Sequence, residues 1–149
     1  MRKNWFPDSI PRRVVGGYLL YSPVVTIPLG ESTLVMVSGL LARDREGKVV
    51  GAGDMRAQIE QVGENLRACL ESVGAGLEDL IRTCTFVTAI DEFFRHAETR
   101  HRYFGAALPT STTVEVTRLS DPRFMVEVEA FAIVPTSRIP IDEPAGPAR

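Results

Sequence analysis

Two apolar runs open the regular part of the chain. Tyr18 to Ile27 and Thr33 to Leu41 are rich in Val and Leu, and Pro28-Leu29-Gly30 separates them. Runs of that composition, punctuated by Pro and Gly, predict strands. Arg43-Asp44-Arg45-Glu46-Gly47-Lys48 predicts a polar turn, with Val49-Val50 as a short returning strand. The period then changes. Met55, Ile59, Val62, Leu66, Cys69 or Leu70, and Val73 recur at steps of three and four, which puts them on one stripe of a helix. Asp54 is placed to cap this helix, and Gly74 and Gly76 to stop it. Its other side carries Arg56, Glu60, Glu64, Arg67 and Glu71, a solvated face. Leu80 to Ile90 predicts a further strand. Asp91 predicts the cap of a second helix, with Phe93, Ala97, Arg100 and Phe104 on one side and Gly105 at its end. Thr112 to Leu119 and Phe124 to Val134 predict the last two strands, joined by a turn at Ser120-Asp121-Pro122.

The order strand, strand, short strand, helix, strand, helix, strand, strand predicts an α+β sandwich, with two helices on one face of a mixed sheet. The last strand says more. Side chains alternate across a strand. One row, Phe124, Val126, Val128, Ala130, Ala132 and Val134, is wholly apolar and narrows to alanines, as suits a surface under helices. The other row, Met125, Glu127, Glu129, Phe131 and Ile133, is too apolar for an open face yet carries two acids. Two helices cover only one face, so the second must find another cover. A homo-oligomer packing sheet against sheet supplies it, and puts Glu127 or Glu129 at a subunit boundary.

Length and composition fit this picture. A chain of 149 residues makes one domain, and buries enough surface to need no metal or disulfide staple. Residues 1–12 read as an irregular N-terminal arm, 13–134 as the domain, and 135–149, with Pro135, Pro140, Pro144 and Pro147, as a flexible tail. The net charge of −2 comes without any basic block, so no nucleic-acid partner is expected. Cys69 and Cys84 lie inside predicted elements and read as small core residues with reduced thiols. With no Cys-x-x-Cys or paired histidine spacing, no metal site is expected. His96 and His101, five apart, read as surface residues. Arg2 and Lys3 precede no apolar segment of signal-peptide form, and no run approaches the ~20 residues of a membrane span. A soluble cytoplasmic protein is the expectation.

Several fragments, in order, carry a resemblance. They are Tyr21-Ser22-Pro23-Val24-Val25, Val35-Met36-Val37-Ser38-Gly39, Gln58 with Glu64-Asn65-Leu66, Val73 to Leu80, Thr85-Phe86-Val87, Tyr103-Phe104, Val114-Glu115-Val116 with Arg118-Leu119, and Val126-Glu127-Val128-Glu129-Ala130. Together they resemble the RidA/YjgF family, also called the L-PSP endoribonuclease family, over roughly residues 18–134. The resemblance implies a chorismate-mutase-like fold and a homotrimer whose sheets form a central barrel, with ligand clefts between subunits. It implies hydrolysis of enamines and imines to ketones and ammonia, with no cofactor. Members with that activity read Pro-x-Arg-Ser before Val-Glu-Val, the arginine gripping the substrate carboxylate. Here Ser111 stands at that arginine's position, which argues for a subgroup acting on something other than simple 2-iminoacids. Arg118 matches an arginine already in the family pattern and Arg123 lies in a turn, so both are poor substitutes.

By the same resemblance Glu129, Tyr21 and Thr113 are candidate catalytic residues, and Ser111, Thr110, Gly39 and Phe93 candidate substrate contacts. Glu129 reads either as a general acid/base with its pKa raised at a dry boundary, or as a glutamate satisfied across the trimer. Glu127 reads as structural or salt-bridged. Tyr21 reads as a ligand contact or as core packing. The run Thr110-Ser111-Thr112-Thr113 reads as ordinary strand propensity, or as a hydroxyl-lined pocket for an uncharged or polyoxygenated ligand. Two functions follow: a small-molecule hydrolase or deaminase, and a non-catalytic trimer that binds a metabolite. An RNA-cleaving role rests only on the family's older name, and the absence of a basic stripe counts against it.

Overall fold

The computed structural model describes residues 1–141. Eight strands and three short or long helices follow one another as β1 (Lys3–Trp5), β2 (Val14–Val15), β3 (Tyr18–Leu19), β4 (Val24–Leu29), β5 (Ser32–Leu41), α1 (Met55–Glu71), β6 (Leu80–Val87), α2 (Ile90–Arg95), α3 (Ala97–Arg100), β7 (Thr110–Glu115) and β8 (Val126–Pro135). Six strands form one sheet in the order β1-β4-β5-β8-β6-β7, and β2 with β3 form a separate hairpin. All pairings in the large sheet are antiparallel except β6 with β7, which run parallel. Their crossover carries α2, α3 and a π turn at His101–Gly105, because parallel neighbours need a long connection.

The two rows of β8 behave as their side chains dictate. Val126, Val128, Ala130, Ala132 and Val134 are all at most 1% exposed, beneath α1. The small alanines let the helix approach the sheet. On α1, Ile59, Val62, Leu66, Cys69 and Leu70 are fully buried, each large side chain worth about 1.5–3 kcal/mol in transfer from water. Asp54 caps α1, its carboxylate accepting from the Ala57 N–H at 3.0 Å. Gly63 sits under the Tyr103 ring, where any Cβ would collide with ring carbons.

A buried polar side chain ties the helix to the loops that frame the sheet. Gln58 is fully buried, and its amide donates to the Arg123 carbonyl at 2.7 Å and the Gly51 carbonyl at 3.2 Å. Its oxygen accepts from the Met125 N–H at 2.8 Å. Removing it strands three backbone groups, at about 1 kcal/mol or more each. Gln58→Ala should therefore lower unfolding free energy by about 3 kcal/mol in urea titration.

Several elements differ from expectation. The N-terminal arm is not irregular throughout: β1 pairs with β4, and Trp5, 1% exposed, donates its indole N–H to the Thr26 hydroxyl at 2.8 Å. Three residues are too few for a periodic signal. The expected Tyr18–Ile27 strand is broken at Pro23, giving β3 and β4, because proline lacks an amide hydrogen. Val49 makes only an isolated bridge to Arg43. The second helix begins at Ile90, whose N–H donates to the Glu115 carboxylate at 2.9 Å, so a distant residue does the capping expected of Asp91. It breaks at His96 into α2, α3 and the π turn. Strand β7 stops at Glu115 because its partner β6 ends at Val87. The expected tail is ordered at its start: Pro135 ends β8, and Arg138 donates to Asp79 at 2.9 and 3.0 Å. The rest of that tail, from residue 142 with Pro144 and Pro147, lies outside the described residues.

Candidate active site

The parallel register of β6 and β7 sets Ser111 beside Thr83 and Thr113 beside Thr85. All four side chains point to the helix side of the sheet, where they line a cleft of about 340 Å³. The Thr83 hydroxyl donates to the Ser111 hydroxyl at 3.3 Å. Phe93, Ala97, Arg100, His101 and Phe104 form the opposite wall. Leu108 stands at the rim, 86% exposed and with φ of +52°, a left-handed conformation that costs a leucine about 1–2 kcal/mol. Three expected site residues thus meet here: Ser111, Thr113 and Phe93. Thr110 does not join them. Alternation turns it away, and its hydroxyl donates to the Ile81 carbonyl at 3.1 Å.

Tyr21 and Gly39 belong to a second cleft, of about 320 Å³, with Arg13, Ser38, Arg43, Ser120 and Glu127. Tyr21 is 50% exposed and so is no core residue. An irregularity in the β5–β8 ladder between Val37 and Leu40 reorients the chain here. Gly39 is required by close approach, since a Cβ there would collide with the Glu127 carboxylate. The buried Ser38 hydroxyl has no hydrogen-bond partner among the described residues. Glu127 makes no salt bridge among the described residues, which removes the salt-bridged half of the expectation of a structural or salt-bridged role. Burial first, and then the charge of Glu129, push its carboxyl above the usual range.

A raised carboxyl has a definite linkage. The folded state binds the Glu127 proton at a pH where the unfolded chain has released it, so stability falls as pH rises from the ordinary carboxylate range through the folded pKa. The difference in urea midpoint between Glu127→Gln and the parent protein should therefore grow in the variant's favour from pH 4.5 to 7, the first value being the unshifted pKa.

Glu129 occupies neither cleft. It lies opposite Cys84 on the face away from the helices, half-buried, near Ser22, Met36, Ser38 and Phe131. Cys84 shares that face and is only partly buried, whereas Cys69 is sealed in the core and its thiol pushed up to about 12. Arg118 donates to the Leu119 carbonyl. Arg123 grips Asp121 in a two-pronged pair at 2.8 and 3.0 Å, holding that carboxyl well below its usual range. Neither arginine lines the Ser111 cleft. Sequence reasoning overlooked Glu127 as a cleft residue, and Arg100. The signal for Arg100 was present as a charge on an otherwise apolar helix stripe. That for Glu127 depends on an irregular strand and was not.

Residues 19–134 match the family described as Endoribonuclease L-PSP. The chain belongs to the RidA/YjgF family. It is 36% identical over 133 residues to protein DfrA of Myxococcus xanthus, covering 89% of this chain and 95% of that protein. It is 32% identical over 104 residues to a 2-iminobutanoate/2-iminopropanoate deaminase of Salmonella typhimurium, covering 68% and 80%. The YjgF gene product of E. coli has the same fold, with a TM-score of 0.71 at 26% identity over 88% of this chain and 98% of that one. A mixed sheet with two main helices, as in these structures, is the architecture described above. No helix among the described residues is long and apolar enough to cross a membrane.

The face bearing Glu129 is uncovered in the single chain. Val25, Ile27, Leu34, Met36, Phe86 and Phe131 on it are half-buried, and Ile133 is 41% exposed. Such a contiguous apolar surface is unusual on a protein that stays alone.

Proposed function

We propose that the protein is a homotrimer that hydrolyses an enamine- or imine-type metabolite in clefts between its subunits. One observation carries this reading. The expected site residues are divided within one chain between the β6–β7 edge, the β5 irregularity and the open face, and that face is apolar. A second copy packed on the open face would complete what one copy leaves in parts. Ser111, Thr113 and Phe93 would come from one subunit, and Tyr21, Gly39 and Glu129 from its neighbour.

In such a cleft the chemistry is a hydrolysis. An enamine takes a proton from Glu129 on carbon and becomes the iminium ion. Water adds to the iminium carbon and gives one proton to Glu129, leaving a carbinolamine. Glu129 returns that proton to the nitrogen, the C–N bond breaks as the hydroxyl hands its own proton back to Glu129, and a ketone and ammonia leave. Tyr21 would contact the substrate, and the main chain of Gly39 and Thr113 would orient it. Ser111 in place of an arginine removes the two-pronged grip on a small 2-iminoacid's carboxylate, which directs the protein to a different substrate.

Ammonia release from a panel of enamines and imines tests the reading. Turnover above the buffer rate supports it, and the buffer rate across the panel removes it. The neutral Ser111 favours one second reading, a trimer that binds a metabolite without turnover. That reading predicts ligands that raise the melting temperature and are recovered unchanged.

A further inference from the structure

The cleft at the β6–β7 edge holds a charge that neither its hydroxyls nor the chemistry above uses. Arg56, Arg67, Arg123 and Arg138 each pair with a carboxylate. Arg100 pairs with none among the described residues. Its guanidinium lies 4.5 Å from the Phe93 ring centroid and 4.9 Å from that of Phe94. Two rings beneath one planar cation hold it in place, so little rotamer freedom remains to be lost on binding. Burial lowers its pKa, with no opposing charge to compensate. An arginine keeps its proton regardless.

The composition of the cleft decides what meets that charge. No aspartate or glutamate lines it. The charged or chargeable groups on its wall are Arg100 and His101, and the remaining polar groups are the hydroxyls of Thr83, Thr85, Ser111 and Thr113. Phe93, Phe104, Ala97 and Leu108 give it apolar surface. One fixed guanidinium with apolar walls suits a carboxylate on an apolar body. A phosphate would want more donors around its three free oxygens.

We propose that Arg100 is the anion-recognition residue of this cleft, and that it binds the carboxylate of an organic acid whose apolar body rests on Phe93 and Phe104. The hydroxyls of Ser111 and Thr113 take the ligand's remaining polar atoms. This deepens the function proposed above and rests on it only in taking the cleft as part of the site. An arginine on the helix layer rather than on β7 suits a bulkier acid than a short 2-iminoacid.

Benzoate, its neutral analogue benzamide, and inorganic phosphate are the probes, titrated calorimetrically into the full-length protein at low ionic strength. Benzoate should bind at least about tenfold more tightly than benzamide. Arg100→Gln should erase that difference, Arg100→Lys should restore part of it, and Arg95→Gln, on the neighbouring helix, should leave it intact. Should Arg100→Gln fold poorly, the Arg100 Nε–H resonance of the parent protein should still shift on adding benzoate and not benzamide. Equal binding of benzoate and benzamide, no binding of benzoate at millimolar concentration, or unchanged benzoate affinity in folded Arg100→Gln would overturn the proposal. So would phosphate competing as well as benzoate. None of these readouts needs turnover, so a protein that binds benzoate through Arg100 but releases no ammonia contradicts the hydrolase reading alone.

Discussion

Glu129→Gln is expected to reduce ammonia release from the protein's best enamine or imine by a factor of about 10²–10⁴, the range for losing a general acid/base. The glutamine keeps the size and one acceptor of the glutamate. It cannot accept the proton that water must lose when it attacks the imine carbon. Binding of the substrate should change little, so the loss should fall on kcat rather than KM. Glu127→Gln is the companion measurement. The two carboxylates are two residues apart on one face of β8, and the charge of Glu129 already disfavours ionisation of Glu127. If Glu127→Gln abolished turnover and Glu129→Gln did not, the proton work would belong to Glu127, beside Gly39 and Tyr21.

Ser111→Arg is expected to raise kcat/KM for short 2-iminoacids about tenfold to a hundredfold, the worth of hydrogen bonds to a charged group. The Ser111 side chain is exposed at the cleft, so there is room for a longer one. It would place a planar cation on β7 itself. Arg100 lies across the cleft on the helix layer, stacked on two rings, and suits a different acid. No gain in a folded variant would mean that the cleft excludes short iminoacids by its shape as well as by its charge.

What could be read from the chain followed from how many residues spoke together. The two rows of the last strand were plain because eleven consecutive side chains, Phe124 to Val134, alternate, and the α1 stripe because six positions agree on one period. Trp5 was not, since a three-residue strand has no period, and its partner Thr26 is far along the chain. The break of the second helix at His96 was hidden because Phe93, Ala97, Arg100 and Phe104 fit a continuous helix, while the helix start is set by Glu115, well downstream. At the site, the partners Thr83 and Thr85 depend on the register of two parallel strands, which no local pattern encodes. Gln58 and Asn65 could be picked out as residues, but not their task. Both are buried and hold backbone carbonyls, Asn65 those of Leu41 and Arg43 at 3.0 and 2.9 Å.

The proposed function stands or falls on neighbouring copies closing one another's clefts. Sedimentation equilibrium of the purified full-length protein reads this directly. The predicted result is a single species of three times the 16.4 kDa chain mass that holds together at micromolar concentration. A stable species of one chain mass, folded and with its Glu129 face open to water, would contradict it.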